Sequence, residues 1–236
     1  MGDDDLGGRA PQDCTVRYIP GSTLFRVRTQ PTTARGRATV LRVLDAACGL
    51  FAQQGVRATT LDQVGRKSGT GRSQLYLFFS SKADLVRDVV ALQVDRVLAA
   101  QQPLLDAMAD ADGVRDWCVA AAGQYGPDDA IRCPVGSLVH ELSGPGSDAA
   151  SRAAVADGFE RWRAALAAGL HRAAAHGGLA PGTDPDAAAA ALLAAYQGGV
   201  LLAAATGRRE RIAQALAAVA DGLCAPAQRR STDGGA

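Results

Sequence analysis

Aromatic residues are scarce in this chain of 236 residues: only 5% are Phe, Trp or Tyr. Because 47% of the residues are hydrophobic, a substantial core is possible. Leu, Val and Ala must fill most of it. Alternating apolar and polar runs of the strand type are missing, and no internal repeat occurs. Ala-rich segments with few β-branched runs favour helices instead. The expected fold is therefore all-α, with about nine helices.

Other absences narrow the chemistry. Histidine occurs three times, at 140, 171 and 176, with no Ser-His-Asp order, metal cluster or paired carboxylate beside it. Neither an enzyme nor a bound cofactor is expected. The five cysteines, at 14, 48, 118, 133 and 224, include no Cys-x-x-Cys pair and no histidine at zinc spacing. No signal-peptide pattern follows the acidic start MGDDD. Reduced thiols in a cytoplasm are expected. Residues 187–206 are uncharged over a membrane-spanning length, but most are Ala or Gly and Gln197 sits among them. A buried helix accounts for this stretch, so no membrane is expected.

Net charge is also nearly absent, at +1. Its distribution is uneven. Residues 26–82 carry ten Lys or Arg against two acids, a net of +8, and the remainder carries 15 against 22, a net of −7. A basic segment joined to an acidic remainder fits a nucleic-acid-binding module followed by a second module. The expected division is a disordered, basic-ended arm over 1–32, a DNA-binding domain over 33–82, a second helical domain over 83–225, and a disordered tail over 226–236.

Apolar spacing places the helices. Val40, Leu44, Ala47, Cys48 and Phe51 share one face of a helix over 34–54, which Gly55 ends. Thr60 is placed to cap a short helix over 61–68. A third covers 72–78, and Ser80 or Ser81 caps a fourth that runs to about Gln102, where Pro103 interrupts or kinks it. Further helices are expected over 113–125, from Pro134 to the SGPGS stretch, over 147–176, over 184–206 and over 210–223.

The segment GTGRSQLYLFFSSK, residues 69–82, admits two readings. A phosphate loop needs G-x-x-x-x-G-K-[ST] after a buried strand. Here Arg72 stands in the Lys place, Arg66 in the first Gly place, and a helix precedes. A helix-turn-helix needs a short helix, a Gly-containing turn and a second helix whose N-terminal side chains meet base edges. That pattern is present. Arg72 can pair with guanine, Gln74 with adenine, and Ser73 with bases or phosphates. Tyr76, Lys82 and Thr60 are placed for the DNA backbone, and Arg37 and Thr70 complete the expected contact set. Leu75 with Phe78 or Phe79 would anchor the helix.

Taken together, these residues resemble the DNA-binding domain of the TetR family of bacterial repressors. The resemblance rests on Ala46-Ala47, Leu50-Phe51, Gly55, Thr59-Thr60-Leu61, Val64, Gly69, Leu75-Tyr76, Phe79, Ser81-Lys82 and Leu85. Gly65 and Ser68 depart from the usual Ala, and Gly at mid-helix costs roughly 0.5–1 kcal/mol. The second half is similar to repressors of multidrug or lipophilic-compound efflux genes, through Cys133-Pro134-Val135-Gly136-Ser137-Leu138, Glu141-Leu142, Phe159, Trp162, Gly177, Leu179 and Leu192 through Leu202. The resemblance implies a homodimer on a palindromic double-stranded operator, released by a small molecule. The candidate effector residues are Trp117, Tyr125, His140, Phe159, Trp162, Tyr196 and Gln197, for an apolar or aromatic ligand. The candidate dimer residues are Leu192, Gly199, Leu216, Val219 and Leu223. A redox trigger at Cys118 or Cys133 is the alternative to ligand control.

Overall fold

The computed structural model describes residues 30–126, 129–142 and 148–225. The expected arm and tail, Cys14 and the SGPGS stretch lie outside these, apart from residues 30–32 of the arm. Among the described residues there are nine helices and no strand, only an isolated bridge between Leu179 and Cys224. The helices are α1 (Ala34–Ala58), α2 (Leu61–Ser68), α3 (Arg72–Phe78), α4 (Lys82–Ala107), α5 (Ala111–Gly123), α6 (Gly136–Leu142), α7 (Ala149–Ala175), α8 (Pro185–Thr206) and α9 (Glu210–Leu223).

Two compact units divide between Leu85 and Val86. In the first, α1 buries Val40, Leu44, Ala47, Cys48 and Phe51, the face that spacing predicted. Gly55 breaks the helical path at φ 83°, a conformation that favours glycine, and one more turn follows to Ala58. Thr60 caps α2: its hydroxyl accepts from the Gln63 N–H at 3.2 Å, and Gln63 Oε1 accepts from the Thr60 N–H at 2.8 Å. This reciprocal pair satisfies two donors that the helix start would otherwise leave open. Gly69 ends α2 in the left-handed region at φ 65°. Ser81, rather than Ser80, caps α4 by accepting from the Asp84 N–H at 3.1 Å.

One expectation for α4 needs correction. The helix does not stop near Gln102 but runs through Pro103 to Ala107. Proline removes one donor, yet the turn beyond it is held by burial of Leu105 and Met108, and the Arg172 guanidinium donates to the Leu105 carbonyl. Likewise α6 begins at Gly136, two residues after Pro134.

In the second unit α8 packs against both α7 and α9, and α5 also meets α9. A Cβ added at Gly199 would stand 2.8 Å from the Ile212 Cα, so the α8–α9 approach depends on glycine there. By length and composition α8 is apolar enough to cross a membrane. It nevertheless buries Ala188, Leu192, Tyr196, Gly199 and Ala203 inside the chain. The end of α9 is clasped to the loop before α8: Ala180 N–H donates to the Leu223 carbonyl at 2.9 Å, and Ala225 N–H to the Gly178 carbonyl at 3.0 Å.

Candidate nucleic-acid interface and ligand cavity

The first candidate surface is the N-terminal part of α3. Arg72, Ser73 and Gln74 are all exposed, while Leu75, Phe78 and Phe79 are buried behind them. A seven-residue helix has little stability of its own. It stands here because three apolar side chains fasten one face, which turns the polar face outward. Arg72 lies over the Tyr76 ring, 5.8 Å from its centroid, and its Nε is 3.9 Å from an Asp62 carboxylate oxygen. Both groups of that ion pair are well exposed, so its energetic worth is slight. Its effect is to limit where the guanidinium points. Tyr76 is 37% exposed and Leu77 50%, so both remain available beside the reading face.

Thr60 is exposed beside its cap. Arg37 is half-buried and donates to the Thr32 carbonyl at 3.1 Å. Lys82 turns its ammonium to the Arg57 carbonyl at 3.1 Å, closing the end of α1. Thr70 differs from expectation. It is buried behind the turn, with its hydroxyl unpaired among the described residues. It therefore supports the turn rather than presenting itself to solvent.

The second candidate site is a cavity of about 350 Å³ in the second unit. Ile131, Arg132 and Cys133 line it before α6, then Gly136, Ser137 and Val139 of α6, Phe159 of α7, and Gln197, Gly198, Val200, Leu201 and Ala204 of α8. The size and the mainly apolar wall suit a small organic molecule. Among these lining residues there is no carboxylate, and Arg132 is the one full charge. Gly136 lies close against the Gln197 amide: a Cβ there would stand 2.6 Å from Gln197 Oε1, so the glutamine side chain would have to shift.

Of the seven effector candidates, Phe159 and Gln197 line this cavity. The side chain of His140 lies outside the described residues. The others do not line it: Trp162 stacks on Phe159, Tyr125 reaches the Arg132 carbonyl and Tyr196 bonds to Tyr125, whereas Trp117 is joined to Trp162 only through Gln101. Trp117, Trp162 and Tyr196 are at most 1% exposed. Both indole N–H groups donate to one acceptor, Gln101 Oε1 in α4, from Trp117 at 3.2 Å and from Trp162 at 3.0 Å. Tyr196 shares a hydrogen bond of 3.0 Å with the Tyr125 hydroxyl, which also donates to the Arg132 carbonyl at 3.1 Å. Burial pushes the Tyr125 phenol up to about 12 and the Tyr196 phenol higher still. Both are neutral hydrogen-bonding groups at physiological pH. Sequence reasoning missed Gln101, because a single Gln on an otherwise ordinary helix gives no sign of burial.

Cys118 and Cys133 are both buried. Cys133 accepts from the Gly136 N–H and from Gln197 Nε2, each at 3.3 Å. Burial nevertheless raises its pKa, and pushes that of Cys118 up to about 12. Neither is a thiolate near neutrality, and the thiolate is the reactive form.

The dimer candidates divide. Leu192, Gly199 and Leu216 are buried within the chain, where they pack the second unit's own helices, and Val219 and Leu223 are half-buried. Leu192 and Leu216, and α8 through its close approach at Gly199, thus already take part in packing inside the chain. Apolar groups left in the open on α8 include Ala187, Ala191, Ala194, Leu201, Leu202 and Ala205, with half-buried Gly198 between them. They recur every three to four residues and so share one face.

Comparison with known proteins accords with both halves. The family described as bacterial regulatory proteins, tetR family, matches residues 43–89, and that described as tetracyclin repressor-like, C-terminal domain, matches residues 119–219. The chain is 32% identical over 112 residues to a protein of Pseudomonas putida named "Uncharacterized HTH-type transcriptional regulator TtgW", covering 47% of this chain and 76% of that protein. Among solved structures, the reduced form of E. coli NemR is similar with a TM-score of 0.73 at 20% identity, over 80% of this chain and 100% of that one. A SmeT–triclosan complex is similar with a TM-score of 0.66 at 22% identity, over 80% and 93%. At these identities the structures speak for the fold.

Proposed function

Since the chain belongs to the TetR family of DNA-binding transcriptional regulators, we propose that it is a homodimeric repressor that leaves a palindromic operator when a small molecule enters the cavity of the second unit. The observation that carries this reading is the coexistence of two features. One is an exposed Arg72-Ser73-Gln74 face on a helix fastened from behind. The other is a separate cavity of about 350 Å³ in the second unit. A constitutive DNA binder has no use for the cavity. For release, the ligand must bind the non-DNA-binding state more tightly than the DNA-binding one.

The cavity wall points to an apolar or aromatic ligand without a positive charge, because no lining carboxylate is there to pair with a cation. The triclosan bound to SmeT is a compound of this apolar aromatic kind. A cysteine trigger has less support, since burial keeps Cys118 and Cys133 protonated. The role assigned to the chain involves no turnover of the ligand, and a regulator of DNA works in the cytoplasm.

Selection of operators from random duplexes by the full-length protein tests the DNA half. A palindromic consensus is expected, with half-sites about one helical turn apart or a little more. Arg72→Ala is expected to weaken binding to that consensus by about tenfold or more, the effect of one lost bidentate base contact. Unchanged affinity and unchanged base preference would remove Arg72 from the reading face.

The dimer is assigned to the open apolar face of α8 together with α9. Leu202 is 54% exposed there. Leu202→Glu places a charge in that contact and is expected to give a monomer in sedimentation equilibrium, with operator binding lost in parallel. A Leu202→Glu protein that stays dimeric would move the interface elsewhere.

A further inference from the structure

We propose that Trp162 and Gln101 are the relay by which an occupied cavity acts on α4, an inference that rests on the ligand-release reading above. Phe159 is part of the cavity wall, and its ring stacks on the Trp162 indole with centroids 6.4 Å apart and planes 9° apart. Trp162 in turn donates to Gln101 of α4 at 3.0 Å. The same oxygen accepts from Trp117 of α5, so both of its lone pairs are used. Gln101 is 8% exposed, and so has little access to water as a replacement partner. On its other side Trp162 meets the Tyr196 ring edge-on, with centroids 5.5 Å apart. A ligand that displaces Phe159 therefore meets an indole backed by Tyr196 and tied to α4.

Three further contacts join α4 to α7. Gly158 makes room for Val94, since a Cβ there would stand 2.7 Å from a Val94 methyl. Arg161 pairs with Asp95. Beyond Gln101, Arg172 holds the Leu105 carbonyl. Packed side chains move between discrete arrangements rather than deforming smoothly. α4 is also the helix common to both units, starting at Lys82 in the first and ending at Ala107 in the second. A shift of α4 at Gln101 is thus the event by which cavity occupancy becomes a change in the DNA-binding unit.

Occupancy can be imposed without knowing the ligand. A Cβ at Gly198 meets nothing within 4 Å, and the residue lines the cavity, so Gly198→Phe fills the space from α8. Trp162→Phe keeps a ring against Phe159 but deletes the N–H to Gln101. Trp117→Phe deletes the other N–H on that oxygen, from a residue that does not line the cavity. The experiment measures the affinity of each full-length variant for the selected operator, with melting temperatures as the check on folding. Sedimentation equilibrium checks that each variant keeps the dimer, because Gly198 also lies on the open face of α8. A variant that has become monomeric is replaced by Ser137→Phe, which fills the same cavity from α6. Gly198→Phe is expected to weaken binding about tenfold, within the usual range of allosteric coupling. Adding Trp162→Phe is expected to restore affinity to within about threefold of wild type, whereas adding Trp117→Phe leaves it weak, the sign of a pair-specific coupling. A Gly198→Phe, Trp162→Phe protein as weak as Gly198→Phe alone overturns the relay and leaves ligand release standing. Wild-type affinity in Gly198→Phe overturns both. In the Trp117→Phe background Trp162 is the sole tryptophan, and its emission is expected to shift when Gly198→Phe is added; an unshifted spectrum also counts against the relay.

Discussion

Phe79→Ala is expected to destabilise the first unit by about 3–5 kcal/mol, the usual range for a large buried aromatic cut to a methyl. Phe79 is 0% exposed and follows the last residue of α3, where its N–H donates to the Leu75 carbonyl at 2.9 Å. Only Leu75 and Phe78 share the task of fastening that helix. A whole domain is stable by about 5–15 kcal/mol, so the loss removes a large part of the total. Chemical denaturation followed by circular dichroism is expected to show an early transition for the first unit. Operator binding should fall with it, even though Arg72, Ser73 and Gln74 are intact. An unchanged denaturation profile would show that the reading helix is held by something other than its buried face.

Gln101→Leu is the second large effect. Leucine nearly preserves the volume but takes away the one acceptor that serves two buried indoles. A buried donor left without a partner costs about 1–3 kcal/mol, so the pair should cost about 2–6 kcal/mol. The sign of the effect can be reversed. Removing both donors as well, through Trp117→Phe and Trp162→Phe, leaves an apolar cluster in place of a broken polar one. That triple variant is expected to regain much of the lost stability, because deleting both sides of a hydrogen bond is far less costly than deleting one. Denaturant midpoints of the single and triple variants decide the matter. Equal midpoints for Gln101→Leu and wild type would mean that the indoles find other acceptors.

Much of the fold was legible because contrast along the helices was strong. In α1 and α2, apolar positions alternate with charged ones at helical spacing, so the buried face and the Thr60 cap could be read directly. The reading helix was legible for the same reason: Leu75, Phe78 and Phe79 are apolar where Arg72, Ser73 and Gln74 are not. Contrast is lost in α8. There Ala, Gly and Leu occupy every side, so periodicity cannot distinguish the face packed within the chain, Leu192 and Gly199, from the face left open, Leu201 and Leu202. The aromatic residues raise a different difficulty. Spacing puts Phe159 and Trp162 on one side of α7 but says nothing of what they meet. One ring reaches the cavity, while the other turns to a glutamine 61 positions earlier in the chain. Pro103 misled by the opposite route, since local propensity argued for a stop and tertiary anchoring of Leu105 and Met108 carried the helix onward.

The clasp between the end of α9 and the loop before α8 is made by main-chain atoms alone. It therefore asks little of the side chains that hang from it. Codon changes at 180, 223 or 225 leave the two bonds available, except where proline at 180 or 225 removes a donor. Chemical constraint lies at position 178, where a Cβ would stand 2.6 Å from the Ala111 nitrogen, and at Leu179 and Cys224, whose side chains are buried. Loss or gain of a single codon is another matter, since it shifts the register of both bonds at once. Apart from those three positions, the heritable variation that matters in this stretch is counted in residues rather than in chemistry.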